Sequence, residues 1–245
     1  MNQHAAGNAI RNLRITGSSS VMGGTYNSVK IVGEGSIEGD TSCTRLSCVG
    51  TLEIDGTVTA DKMNIVGTCE VTGGLRGGEL KTSGTVSVGG ITQLRELNIA
   101  GTIESKNHVY SEQIKLKGML QTLGDCEAEQ FTARGIFEIG GLLNAGKLQI
   151  HLYRDCKAHE IGGGHIIVRK AKWLHPLSFF FKPSSSARLT VSVMEGDHIY
   201  LENTIADIVR GNQVVIGPGC EIGLVEFKDH FENRKDSVVR DNRKV

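Results

Sequence analysis

The chain has 245 residues, enough to bury a sizeable core, and its 27 Lys+Arg balance its 27 Asp+Glu. Neutrality excludes the net basic footprint expected of a nucleic-acid or anionic-lipid binder, and it favours self-association over mutual repulsion. Glycine is abundant at 32 residues and proline scarce at 3, which excludes collagen and low-complexity disorder and points to many tight turns.

Residues 1–12 open on Met1-Asn2-Gln3-His4, without a basic n-region or an apolar run, so no signal peptide is expected and the expected address is the cytoplasm. No stretch of the chain approaches the ~20 apolar residues of a membrane helix. This polar start reads as a flexible tail.

From Leu13 to Gly164 the chain repeats. A glycine follows an apolar-x-apolar-x run at Gly33, Gly50, Gly67, Gly84, Gly101, Gly118 and Gly135, every interval being 17. An earlier copy ends at Gly17, and a second series runs Gly39, Gly56, Gly73, Gly90, Asn107, Gly124 and Gly141. Asparagine is the residue that best follows glycine into a left-handed backbone, which is the expected reason for Asn107. Within each repeat apolar and polar residues alternate with the period of a strand. Over the six repeats from Leu46 to Ala145, 30 of 36 alternating positions are Ala, Val, Ile, Leu, Met, Phe or Cys and none is charged, against 39% hydrophobic overall, so these columns face inward. Each repeat offers three short strands with two inward residues apiece. The fold expected is all-β, a triangular parallel β-helix (solenoid) with one coil per repeat. Small inward residues at Ala60, Gly77, Ala128 and Ala145 share one column and suit a narrow corner. Such coils stack about 4.8 Å apart.

The repeat degrades after Ile150: Leu152 replaces the next corner glycine, and Arg154 and Glu160 fall on inward columns. Gly162-Gly163-Gly164 reads as a joint. Residues 165–227 then form a C-terminal β region that adds coils or caps the rod, with strands at His165–Arg169, Leu189–Val193, Ile199–Leu201 and Val214–Ile216. An aromatic cluster at 173–181, with Phe179, Phe180 and Phe181, reads as packed core or cap, and Pro183–Ser186 as a loop. Residues 228–245 carry ten charged side chains and read as a disordered tail.

No catalytic, metal or cofactor site stands out. Cys43, Cys48, Cys69, Cys126 and Cys156 lie on inward columns and read as reduced core thiols. Cys156, His159 and His165 form a Cys/His cluster without the paired spacing of a zinc site. Thr51, Thr68, Thr85 and Thr102 stack on an outward column, and Glu53, Glu70, Glu104, Glu138 and Asp155 on another; strand propensity and solvation explain both. The glycines are corners rather than a phosphate loop, so no nucleotide dependence is expected. The alternative to a scaffold is a β-helix acyltransferase-like enzyme, suggested by Ile216–Gly223, which matches two six-residue repeats; the main period of 17 argues against it.

A solenoid leaves unpaired edges and exposed core at its two ends, which must be capped or bind something. Leu13 and Ile15 at one end, and Val214, Ile216 and Ile222 at the other, are the candidate contact residues. The repeat of period 17, the block Glu195–Thr204 and the block Val209–Ile222 together resemble the bactofilins, polymer-forming bacterial cytoskeletal proteins, in their longer Bacillus-like form. The resemblance implies a right-handed β-helix that polymerises end to end without nucleotide or other cofactor. It also implies a non-enzymatic scaffold acting in envelope morphogenesis, cell shape or flagellar motility. The partners implied are further copies of the chain, a paralogous bactofilin, and envelope or flagellar assembly proteins, with no nucleic acid. Some bactofilins carry an apolar N-terminal membrane peptide; the polar start here argues against direct membrane binding and for recruitment to the inner membrane face through partners.

Overall fold

The structure, a computed structural model, describes residues 11–171, 184 and 186–245. Among these there is no helix, and the strands form a β-solenoid of about 11 turns with ~17 residues per turn. At about 4.8 Å per coil the rod is roughly 50 Å long. The aromatic residues 173–181 lie outside the described residues, as do residues 1–10 of the expected N-terminal tail; Asn12 already belongs to the first strand.

Fifteen strands follow in chain order. The first, β1 (Asn12–Asp55), already winds through more than two coils, and β2 (Val58–Val71) continues it. Corner breaks then separate β3 (Leu75–Thr82), β4 (Thr85–Val88), β5 (Thr92–Ile99), β6 (Thr102–Ser105), β7 (Val109–Leu116), β8 (Met119–Thr122) and β9 (Cys126–Ala133). Longer strands return in β10 (Ile136–Leu152), β11 (Cys156–Lys170), β12 (Leu189–Leu201), β13 (Thr204–Ile216), β14 (Glu221–Asn233) and β15 (Val238–Lys244). All belong to one 15-stranded sheet, and every pairing is parallel.

Each coil has three sides, and the coil from Met63 defines them. Met63 and Ile65 point inward from the first side, Cys69 and Val71 from the second, and Leu75 from the third. The register is the sequence repeat made physical: Met63 pairs with Leu80, Cys69 with Val86 and Leu75 with Thr92. The interior is filled by Ile, Val and Leu, with Phe131 and Phe137 packed edge-to-face at 5.7 Å. Buried Thr82, Ser105 and Thr122 hide their hydroxyls by bonding backbone carbonyls at the corners.

Both glycine series answer the closeness of the coil before, and the first adds a positive φ at Gly33, Gly50 and Gly67. In the first, Gly50 has φ +128, and a Cβ there would lie 2.1 Å from the Gly33 carbonyl oxygen. In the second, Gly39 alone has a positive φ; elsewhere the requirement is closeness to the coil before. Asn107 is therefore not the left-handed substitute expected. It keeps a negative φ and holds its corner by polar contacts: its Oδ1 accepts from His108 N–H at 2.9 Å, and its carbonyl accepts from Ser105 and Thr122.

The irregular stretch after Ile150 is a change of coil length. Leu152 turns inward and is fully buried, lengthening the first side. Ile139 consequently pairs with Ala158, and after a register shift Leu142 pairs with Glu160, both partners lying further along the chain than the strict period would put them. This shift carries Arg154 and Glu160 to the surface, against the inward positions expected for them. Asp155 leaves the glutamate column for the same reason: Glu138 pairs with Lys157, and Asp155 Oδ1 instead accepts from Arg188 N–H at 3.1 Å.

Two expected boundaries are absent. Gly162–Gly164 is no joint, since β11 runs through it from Cys156 to Lys170. Residues 165–227 add full coils, of which β12 to β13 is the shortest: Leu189 pairs with Thr204, short of the strict period. Residues 228–245 are not a disordered tail either. β14 extends to Asn233, and β15 pairs with it from Glu221–Val238 to Phe227–Lys244. Charge count misleads here because an outer strand can turn its charges outward while its backbone joins the ladder. Phe231 and Val239 supply the inward contacts.

Candidate functional site at the rod ends

A continuous parallel sheet wound into a rod leaves its two edges at the ends, and the first coil forms one of them. Its side chains come from β1: Leu13 is half-buried, Ile15 is 4% exposed beneath the next coil, and Val21 packs against the same core. Met22 is 69% exposed beside them. Asn12 Oδ1 ties this coil to the second by accepting from Asn27 Nδ2 and Ser28 Oγ at 3.0 and 2.9 Å. Leu13 and Ile15 both belong to this first coil, Leu13 half-exposed and Ile15 covered.

The other end is not where Val214, Ile216 and Ile222 sit. These three are at most 1% exposed and are covered by further coils: Val214 pairs with Phe231, Ile216 with Asn233 and Ile222 with Val239. The charged composition of 228–245 hides one more coil, and the sequence reading stops short of it. In that last coil the inward columns turn polar. Asn242 follows Val225, and Lys244 follows Phe227. The available signal was the pair of apolar residues, Phe231 and Val239, that recur among the charges.

This end is finished by an ion ladder. Glu195, Arg210, Glu226 and Arg243 occupy one column on consecutive coils. Glu226 is nearly buried, and both its oxygens are engaged, one by Arg210 and the other by Arg243. The two guanidiniums hold its carboxyl below the usual carboxylate range. Phe227 stacks on Phe231 at 5.4 Å beside the ladder.

The remaining sequence candidates are distributed rather than gathered. Thr51, Thr68, Thr85 and Thr102 do form one in-register column, as do Glu53 and Glu70 in theirs. The cysteines are all free and buried, Cys220 among them. Burial pushes Cys69 and Cys126 up to about 12, so these thiols hold their protons. Cys156 points inward while His159 and His165 lie outside, His165 stacking on His198 at 4.7 Å. Among the described residues no three His, Cys, Asp or Glu side chains gather as a metal site would require. Among them too, no helix is long and apolar enough to cross a membrane.

The small-residue column has a role that the sequence did not reveal. Ala60 and Ala145 are buried as expected and Ala128 packs against the core, while Gly77 is exposed; Gly77 and Ala128 border an outward groove on the third side, about 590 Å³ in volume. It continues past Asn144 into a second depression of about 640 Å³ floored by Gly163, Gly196 and Gly211. Glycine is required there because the strands bend inward: a Cβ at Gly196 would stand 2.4 Å from the Gly163 carbonyl oxygen.

No family model matches the chain, and no solved structure matches it. Two curated proteins of Bacillus subtilis (strain 168) do. The chain is 40% identical over 106 residues to the uncharacterized protein YhbF, covering 43% of this chain and 42% of YhbF. It is 37% identical over 109 residues to the uncharacterized protein YhbE, covering 44% of this chain and 45% of YhbE. The matched region therefore spans less than half the length of either relative, and this chain is similar over that region to two Bacillus proteins whose names state no activity.

Proposed function

We propose that this protein is a polymer-forming scaffold of the bactofilin type, non-enzymatic and independent of nucleotide. The observation that carries this reading is the single parallel sheet whose free edges lie at the rod ends. A second copy meeting an end extends the same hydrogen-bond ladder and covers the terminal inward side chains. The two ends offer different chemistry. The first coil presents the half-buried Leu13 and Val21, whose further burial contributes at most about 1.5–3 kcal/mol per large aliphatic side chain, less the cost of association. The last coil presents polar Asn233 and Asn242 beside charged Lys244. Contacts at the first coil are accordingly apolar, and those at the last are polar and salt-sensitive. By the same resemblance the filaments serve envelope morphogenesis, cell shape or flagellar motility, at the inner face of the membrane through partner proteins.

Negative-stain electron microscopy of the purified chain without nucleotide tests this reading. Long thin filaments are expected, and Leu13→Asp is expected to abolish them while circular dichroism stays that of a folded β protein. Discrete particles from the unmodified chain, or assembly that requires ATP or GTP, would overturn it.

A further inference from the structure

The chain's neutrality conceals a separation of charge across the rod. The corner between the first and second sides is a convex ridge carrying Lys117, Arg134, His151 and Arg169 on successive coils, with Lys115 beside Lys117. Burial first, then Arg134 and Arg169, push the His151 imidazole down. The ridge charge at neutral pH therefore comes from the four Lys and Arg residues. Lys115, Lys117 and Arg134 form no ion pair among the described residues, and Arg169 lies 5.4 Å from the Tyr200 ring centroid. In a three-sided coil this corner stands opposite the third side, where the groove runs. The groove's exposed acids, Glu112, Glu127, Glu129, Glu160, Glu195 and Asp197, outnumber its cations, Arg76, Arg95, Arg210 and Lys228.

We propose that the rods associate side by side, the basic ridge of one copy seated in the acidic groove of the next. The occupant is a second copy because the two surfaces match in shape, in sign and in height. Lys115 and Lys117 share their coil with Glu127 and Glu129, and Arg169 stands level with Glu195 and Asp197. The groove's cations meet no like charge on most coils. Arg76 and Arg95 stand level with Val66 and Ser83, and Arg210 level with Glu202. Arg243, level with Arg234 in the last coil, is already held by Glu226. A sideways translation with no axial shift therefore brings ridge to groove. Because the two patches differ, the contact does not close on itself and repeats as a row.

This association is independent of growth at the rod ends, so it is read in the intact chain and again in the Leu13→Asp background. Turbidity and ribbon width in electron micrographs are followed from roughly 50 mM to 0.5 M salt, with the expected association falling as salt screens it. Lys117→Glu/Arg134→Glu and Glu127→Lys/Glu129→Lys should each weaken association about tenfold, and all four changes in one chain should restore it, since the surfaces are again opposite in sign. Circular dichroism checks that each variant is folded. Unchanged association in the paired variants, or no restoration in the fourfold one, would overturn the proposal. So would a ridge variant that loses binding to phosphatidylglycerol vesicles while still forming ribbons, which would make the ridge a lipid-facing surface.

Discussion

The coils from Leu46 to Ala145 and those from Cys156 to Lys244 solve the same packing problem with different tolerances. In the first region every pairing keeps the strict period, and the corners are glycines pressed against the coil below. In the second the spacing varies. Cys156 pairs with Leu189 across an insertion in the sequence, Leu189 pairs with Thr204 over a shortened coil, and the coil lengthens again from Ile205–Glu221 to Gln213–His230. The inward columns nevertheless stay filled up to the last coil, where they turn polar. The corners account for the difference. The turn from Val71 to Leu75 is one residue longer than its counterpart from Val191 to Met194. What a solenoid conserves is the stacking of inward side chains, and the residue count between them is adjustable at the corners.

The sharpest way to test that equivalence is to strike the second region at its core. Ile216→Asp or Val214→Asp places a carboxylate among fully buried side chains, and a loss above about 3 kcal/mol is expected. Thermal unfolding followed by circular dichroism should show the cooperative transition lost or strongly lowered. A variant that stays folded but fails to assemble would mean that these residues form an end after all. Next in size is Gly50→Ala in the first region, where both the positive φ and the 2.1 Å approach to Gly33 oppose a Cβ. A loss of about 2–4 kcal/mol is expected. Gly17→Ala shares the positive φ but meets no atom within 4 Å, and should cost only about 1–2 kcal/mol. The gap between these two melting temperatures isolates the contribution of stacking.

Acid distinguishes the last coil from the rest. Glu226 has a folded pKa depressed by Arg210 and Arg243, so its contribution is present above the ordinary carboxylate range and is lost as pH falls through the folded value. Hydrogen exchange at β15 amides should accelerate in acid before that of β2 to β9, and Arg243→Ala should move the onset to higher pH. The smallest effect is expected from thiol reagents. With Cys69 and Cys126 pushed up to about 12, native labelling at pH 8 should be slow at both and become rapid only on unfolding. Rapid labelling of the folded protein would show that the core opens locally.

The first region is legible because its period is strict: inward columns, corner glycines and the threonine ladder all follow from counting by 17. Leu13 and Ile15 are legible as inward residues because they carry the apolar-x-apolar-x-Gly pattern that ends at Gly17. The second region is harder because a fixed period, carried past Leu152 where the first side lengthens, assigns Arg154 and Glu160 to the wrong side of the wall. Residues 228–245 are obscured by composition, since Arg234, Arg243 and Lys244 say nothing about which way the backbone runs. The groove escapes for a geometric reason. Small residues in a column signal that the backbone comes close to something, but not from which side of the wall the space is taken.

The corner between Lys170 and Leu189 has a consequence for how such a protein changes over time. Cys156 and Leu189 lie 33 positions apart in the sequence, far more than one coil needs, and still pair in register. A stacked coil therefore behaves like a rung to which a side arm can be grafted, or which can be duplicated or deleted, without redrawing its neighbours. Length is gained or lost in steps of about 4.8 Å, and the architecture works as a ruler with fixed graduations.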